Sequence, residues 1–181
     1  MIAILLNDVS FEQDIRELLM AFYPGETFTH KEEEAGEAEL IVRGVRDGNS
    51  FSLDVTPVKK EAVHFALIYP DFSNRFETKN EIKQTLYRLL SAQTGRELPW
   101  GTLTGIRPTK IALTKLYDGW TDEQIETYMR ETYFTSKEKI DLSIDVAERE
   151  RRLLSTIDYE NGYSLYVGIP FCPTTCLYCS F

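Results

Sequence analysis

The spacing of apolar residues changes along the chain, and each change marks an element. Ile2 to Leu6 is an unbroken apolar run, as in a short buried strand. Phe11, Ile15, Leu18, Leu19 and Phe22 then recur at helical spacing. Ser10 with Gln13 three residues on reads as a capping box opening that helix, and Pro24-Gly25 closes it. Lys31 to Glu37 has no apolar period and predicts a solvated acidic loop. Leu40 to Val45 and Phe51 to Val55 predict two strands joined through Asp47-Gly48-Asn49, a hairpin signal. Phe51, Leu53 and Val55 alternate with Ser52 and Asp54, the mark of a half-buried strand. Val63 to Tyr69 predicts a third strand, ended by Pro70. A helix follows over 79–93, with Ile82, Leu86, Leu89 and Leu90 on one face and Gly95 past its end.

The middle of the chain reads as helical. A turn-rich connector from Leu98 to Pro108 leads into a helix ending near Tyr117, with Pro108 suited to its first turn. Thr121 and Gln124 form a capping box before a helix that turns Ile125, Tyr128 and Met129 inward. Ser136 caps a longer helix with two stripes: Ile140, Ile144, Ala147 and Leu154, and beside them Leu142, Val146, Leu153 and Ile157. So wide an apolar face predicts packing against more than one neighbour. Asn161-Gly162 then turns into Tyr163 to Ile169, β-rich and without clean alternation, as expected of a strand covered on both faces. The expected fold class is therefore α/β. An N-terminal α+β domain over 1–97 is followed by a helical connector over 98–160 and a final strand and loop over 161–181.

Composition narrows the functions open to this chain. Its 181 residues are 43% hydrophobic and 27% charged, ordinary for a globular protein, which argues against disorder. No apolar run reaches 18 residues, so no membrane span is expected. The first residues lack the basic region of a secretion signal, so a cytoplasmic location is expected. A net charge of −9 argues against nonspecific nucleic-acid binding, which wants a basic surface.

The chemistry concentrates at the end. All three cysteines, Cys172, Cys176 and Cys179, lie within the last ten residues. An odd number cannot pair off completely, and the crowding is unlike a disulfide framework. One short loop can bring three thiolates to one centre, enough for three irons of a [4Fe–4S] cubane, with the fourth iron open to a substrate or cofactor. Three other readings compete. Structural zinc wants a fourth ligand, and His30, His64 and the carboxylates are remote in sequence. Buried free thiols would make three neighbours an accident. A redox pair of Cys176 and Cys179 leaves Cys172 without a role.

The flanks favour iron and sulfur. Tyr166-Val167-Gly168-Ile169-Pro170-Phe171-Cys172, with Cys176, Tyr178 and Cys179, resembles the cluster loop of radical S-adenosylmethionine (SAM) enzymes. More narrowly it is similar to the oxygen-independent coproporphyrinogen III oxidase group, with Gly168 where a histidine is common. Trp100-Gly101-Thr102-Leu103-Thr104-Gly105-Ile106-Arg107-Pro108-Thr109-Lys110 is similar to the coproporphyrinogen dehydrogenase branch of that group. The resemblance implies that Cys172, Cys176 and Cys179 hold a [4Fe–4S] cluster. SAM would chelate the open iron, Tyr166 would contact that SAM, and Tyr178 a second one. Reductive cleavage of SAM would start the oxidative decarboxylation of coproporphyrinogen III to protoporphyrinogen IX, with a low-potential electron donor as partner. A haem-binding and haem-delivery protein of the same family is the alternative, with haem in place of coproporphyrinogen III. By the same resemblance, residues 163–169 would be the first strand of a radical SAM (β/α) barrel, with the loop at its C-terminal end. The other barrel strands have no counterpart in the sequence. The chain therefore reads as a truncated, N-terminal fragment, inactive alone.

Other candidates are weaker. Arg107 and Lys110 flank a helix start and could meet an anion, a propionate or an interdomain carboxylate; solvated charges beside a capped helix explain them as well. His30 and His64 stand apart in sequence and suggest structural roles.

Overall fold

The computed structural model describes residues 1–58, 63–105, 107–158, 161–168 and 177. Its first half is a mixed five-stranded sheet in the order β2-β1-β3-β4-β5. β1 (Ile2–Leu6) runs parallel to β2 (Phe28–Thr29) and to β3 (Leu40–Asp47). β3, β4 (Ser50–Pro57) and β5 (His64–Ile68) form an antiparallel meander. The turn from β3 to β4 needs a positive φ at its first central residue, and Gly48 supplies it at +58° with no Cβ penalty.

One face of this sheet is covered by α1 (Glu12–Phe22) and α2 (Arg75–Thr94). Ile15, Leu18, Leu19 and Phe22 from α1 meet Ile82, Leu86 and Leu90 from α2 over Ile2, Ile4, Val42, Leu53 and Val55, all essentially buried. The opposite face of β1 is covered by Ala35 and Ala38, which pack on Ala3 and Leu5. Ala35 belongs to a 3-10 turn over Glu32–Glu37 where the charge run predicts a solvated loop. The small side chain is buried, and its acidic neighbours are tied down: Glu32 to Arg43, and Glu34 to Lys31 and Thr29.

The start of α1 also differs from the expectation. Asp8, not Ser10, makes the capping bond here, its carboxylate accepting the Ser10 N–H at 3.0 Å at the head of a 3-10 turn over Val9–Phe11, and α1 follows behind Phe11 with no side-chain cap of its own. α2 begins four residues before the expected Lys79, because Asn74 accepts the Glu77 N–H at 3.3 Å and caps it. It ends at Gly95, at φ +68°. β2 is two residues long, too short to carry a periodic signal.

The second half packs α3 (Thr109–Tyr117), α4 (Asp122–Tyr133) and α5 (Lys137–Leu154) around their own core of Ala112, Leu116, Ile125, Met129, Ile140 and Ala147. Both bonds of the Thr121–Gln124 capping box form, and Ser136 caps α5 through the Lys139 N–H. Only one stripe of α5 is buried. With it α5 packs on both α3 and α4, the more than one neighbour expected, while Leu142, Leu153 and Ile157 of the other stripe remain 44–68% exposed.

A clasp joins the two cores. Thr102 N–H donates to the Tyr133 carbonyl at 2.7 Å, and Ser136 N–H to the Pro99 carbonyl at 2.9 Å. Gly101 lies so close that a Cβ there would sit 1.9 Å from the Tyr133 oxygen, and its φ is +57°. Phe134 ends α4 in the left-handed region, at φ 56°, and carries its ring into the first core beside Tyr87 at 5.6 Å.

Residues 161–168 form no strand, and Tyr163, Leu165, Tyr166 and Val167 are 75–93% exposed. The barrel strand expected over Tyr163–Ile169 thus has no counterpart at 163–168. Strand backbone needs a hydrogen-bonded neighbour, and no described strand lies alongside. Ile169 falls outside the described residues. No helix among them is long and apolar enough to cross a membrane.

Candidate functional site

The residues singled out for cluster and cofactor binding fare unevenly. Cys172, Cys176, Cys179 and Tyr178 lie outside the described residues. Tyr166 is described, 88% exposed and outside both cores. Among the described residues no group of three or more His, Cys, Asp or Glu is placed to hold a metal.

The connector from Trp100 to Lys110 is better defined. Arg107 donates to Glu150 of α5 at 3.1 Å, so one of the two cations at the start of α3 already has a carboxylate from another helix. Lys110 is exposed one turn on. Arg107 and Glu150 both belong to the 98–160 connector, so this is a largely solvated ion pair within that unit and not an interdomain contact.

Beside it, a groove of about 610 Å³ runs between α1 and the connector, lined by Glu17, Met20, Trp100, Leu103, Thr104 and Pro108. A polar chain forms its wall. The Lys83 ammonium donates to the Thr104 hydroxyl at 2.9 Å, and that hydroxyl donates to Glu17 Oε2 at 2.8 Å. Gln13 donates to the other Glu17 oxygen at 2.9 Å. Lys83 is only 7% exposed. Burial pulls its pKa below the ordinary lysine range, against the opposing pull of Asp14 and Glu17. Burial pushes Glu17 up, but the hydrogen bonds from Gln13 and Thr104 and the charges of Lys83 and Lys79 outweigh it and hold the carboxyl below its usual range. The sequence gives little sign of this chain, because Glu17, Lys83 and Thr104 come from three separate segments. Only the turn-rich composition of the connector points toward it.

The two histidines also differ from one another. His64 sits half-buried in β5 opposite Val55, a structural place. His30 leans over the end of β1, Nδ1 3.2 Å from the Ile4 carbonyl and Nε2 3.4 Å from Glu12 Oε1. Spacing along the chain did not mark it, since Glu12 lies 18 residues upstream and β2 is needed to bring His30 back.

No family model and no solved structure matches this chain. It is similar to a curated oxygen-independent coproporphyrinogen-III oxidase-like protein, with 36% identity over 130 residues, or 70% of this chain. That relative is HemZ of Bacillus subtilis (strain 168), and the chain spans about a quarter (26%) of its length. The likeness supports the resemblance to the coproporphyrinogen III oxidase group.

Proposed function

We propose that this chain is part of a radical SAM oxidoreductase of haem biosynthesis, one that decarboxylates coproporphyrinogen III oxidatively to protoporphyrinogen IX. The observation that carries the reading is the Cys172-x3-Cys176-x2-Cys179 loop in a chain 36% identical to a coproporphyrinogen-III oxidase-like relative. The donor set fits a [4Fe–4S] cluster: three soft thiolates from one loop would serve three irons and leave the fourth open. Cys172, Cys176 and Cys179 would hold it, and when bound it would supply one electron to SAM at the open iron. Tyr166, 88% exposed, is free to take up a contact with SAM. Tyr178 is the candidate for a second SAM. Arg107 and Lys110 lie at the edge of the connector, where Arg107 braces α5 through Glu150.

The chain spans 26% of its relative, so the proposal is made for a full-length protein of that kind. Reconstituted without oxygen, such a protein should carry iron and sulfide, show a reduced EPR spectrum that changes on adding SAM, and form protoporphyrinogen from coproporphyrinogen. Replacing any of the three cysteines by alanine should abolish the signal and the product. Zinc in place of iron and sulfide would overturn the reading. Tight haem binding without product would replace the oxidase by a haem-delivery protein of the same family.

A further inference from the structure

The sheet ends on two strands of unequal length: β2 has two residues and β5 has five. Hydrogen-bond parity fixes which backbone groups of β5 stay open. In β3 the even residues point toward β1: the Gly44 carbonyl accepts from the Asn7 N–H at 3.2 Å, and the Arg46 backbone exchanges two bonds with the Asn7 side chain. The odd residues of β3 therefore bond Ser50, Ser52 and Asp54 of β4. That leaves Phe51, Leu53 and Val55 to bond Ile68, Ala66 and His64 of β5. Phe65 and Leu67 thus carry their N–H and C=O out of the sheet, and among the described residues no backbone bond meets them there. The same alternation turns their side chains to the face that the helices leave bare. Val63, Phe65, Leu67 and Tyr69 are exposed, whereas His64, Ala66 and Ile68 are half-buried.

A strand that covers this edge must match both the open groups and the apolar row, and a second copy of β5 matches both. When the two are laid antiparallel about a two-fold axis at Ala66, Phe65 faces Leu67 of the other copy and Val63 faces its Tyr69, once on each side of the axis. Each Phe65–Leu67 pair joins two outward-pointing residues, so it closes as a narrow pair with about two backbone bonds. Only the methyl group of Ala66 meets its own copy at the axis. Moving the axis to Phe65 or to Leu67 keeps the parity but sets Tyr69 against Glu61, or Val63 against Asp71. The centred register alone lays the apolar row on itself. Charge favours the same contact. A chain of net charge −9 repels its copies over most of its surface, but 63–69 holds no Asp, Glu, Lys or Arg. β2 is too short to extend the sheet at its other end, so one β5–β5 contact uses both long edges and assembly closes at two copies.

We infer that two copies of this chain pair through β5 in the centred register and join their two five-stranded sheets into one. The contact is a single strand wide, well below the roughly 1,600 Å² of a standard stable interface, so the dimer is weak. It is half-formed at on the order of 100 µM and absent at a few micromolar. It owes nothing to the cysteine loop and stands apart from the proposed reaction. Sedimentation equilibrium of the 181-residue chain, with its thiols kept reduced, tests it. Between about 5 µM and about 1 mM the native chain should pass reversibly from monomer to dimer. Leu67→Lys, at a side chain that already faces water, should weaken the dimer at least tenfold. Adding Phe65→Glu to that variant sets a carboxylate opposite the ammonium of the other copy on both sides of the axis, and should recover most of the loss. In either shifted register like charges would meet at the axis instead. A monomer throughout, growth beyond two copies, a dimer that Leu67→Lys leaves intact, or no recovery by the charge pair would each overturn the inference. If a variant fails to fold, amide exchange on the native chain decides. The Phe65 and Leu67 N–H groups should exchange more slowly at the high concentration than at the low one, and equal rates would overturn the pairing.

Discussion

Lys83 shows how one buried charge shapes the response of this protein to pH. Its folded pKa lies below the ordinary value because burial disfavours the ammonium, with Asp14 and Glu17 opposing. The unfolded chain, near pKa 10.4, then binds more protons than the folded one between the two values. Stability from this group therefore rises with pH through that window, and below it the cost of charging is fully present. Lys83→Met removes the titration. Urea midpoints of the native chain and this variant at pH 7.5 and pH 10 should show the native chain gaining relative to the variant as pH rises. A difference that stays flat would mean the lysine is not desolvated. Glu17 acts in the opposite window. Its carboxyl is held low by hydrogen bonds and nearby lysines against the push of burial, so its contribution is present above the unfolded value and fades as pH falls through the folded one.

At the scale of elements, α1 separates what spacing reveals from what needs tertiary structure. Its apolar face was legible because Ile15, Leu18, Leu19 and Phe22 repeat at helical period, and all four are buried. Its start was not, because two residue types with equal capping chemistry lie two positions apart. The 3-10 turn over Val9–Phe11 gives the task to Asp8, which also pairs with Arg46 at 3.1 Å. Asp8→Ala should cost about 1–2 kcal/mol in chemical unfolding. Ser10→Ala keeps the donating N–H and should stay within about 0.5 kcal/mol. The reverse order would restore Ser10 as the cap. The same reasoning explains the other misses. β2 has two residues and no period; Ala35 looks like part of a charge run until β1 is there to bury it. The Lys83–Thr104–Glu17 chain and the His30–Glu12 contact join distant segments, so neither leaves a local signature. The cysteine loop was legible for the opposite reason. Its chemistry lies in close spacing alone and needs no fold to be noticed.

For the whole molecule, the decisive asymmetry is between faces that are covered and faces that are not. The two cores are locked together by the Gly101 clasp and by Phe134, so the halves share one hydrogen-bonded seam. Yet Val63, Phe65, Leu67 and Tyr69 form one row along the edge of the sheet, 48–71% exposed, and no charge interrupts 63–69. Natural edge strands are usually blunted by a charge, a proline or a bulge, because an unpaired apolar edge invites another strand. β5 carries none of these between His64 and Ile68. Adding a gatekeeper should therefore change behaviour in concentrated solution without touching the core. Phe65→Thr with Leu67→Lys should slow aggregation on heating and reduce hydrophobic-dye binding several-fold. The urea midpoint should shift by no more than about 0.5 kcal/mol equivalent, since both side chains already face water. The core face of β5 is a control: Ile68 packs on the first core opposite Phe51, so Ile68→Thr should destabilise by about 1–3 kcal/mol. If the double substitution at 65 and 67 proved as costly as the one at 68, the outer row would have to be packed already, and the sheet would have two covered faces at this edge instead of one.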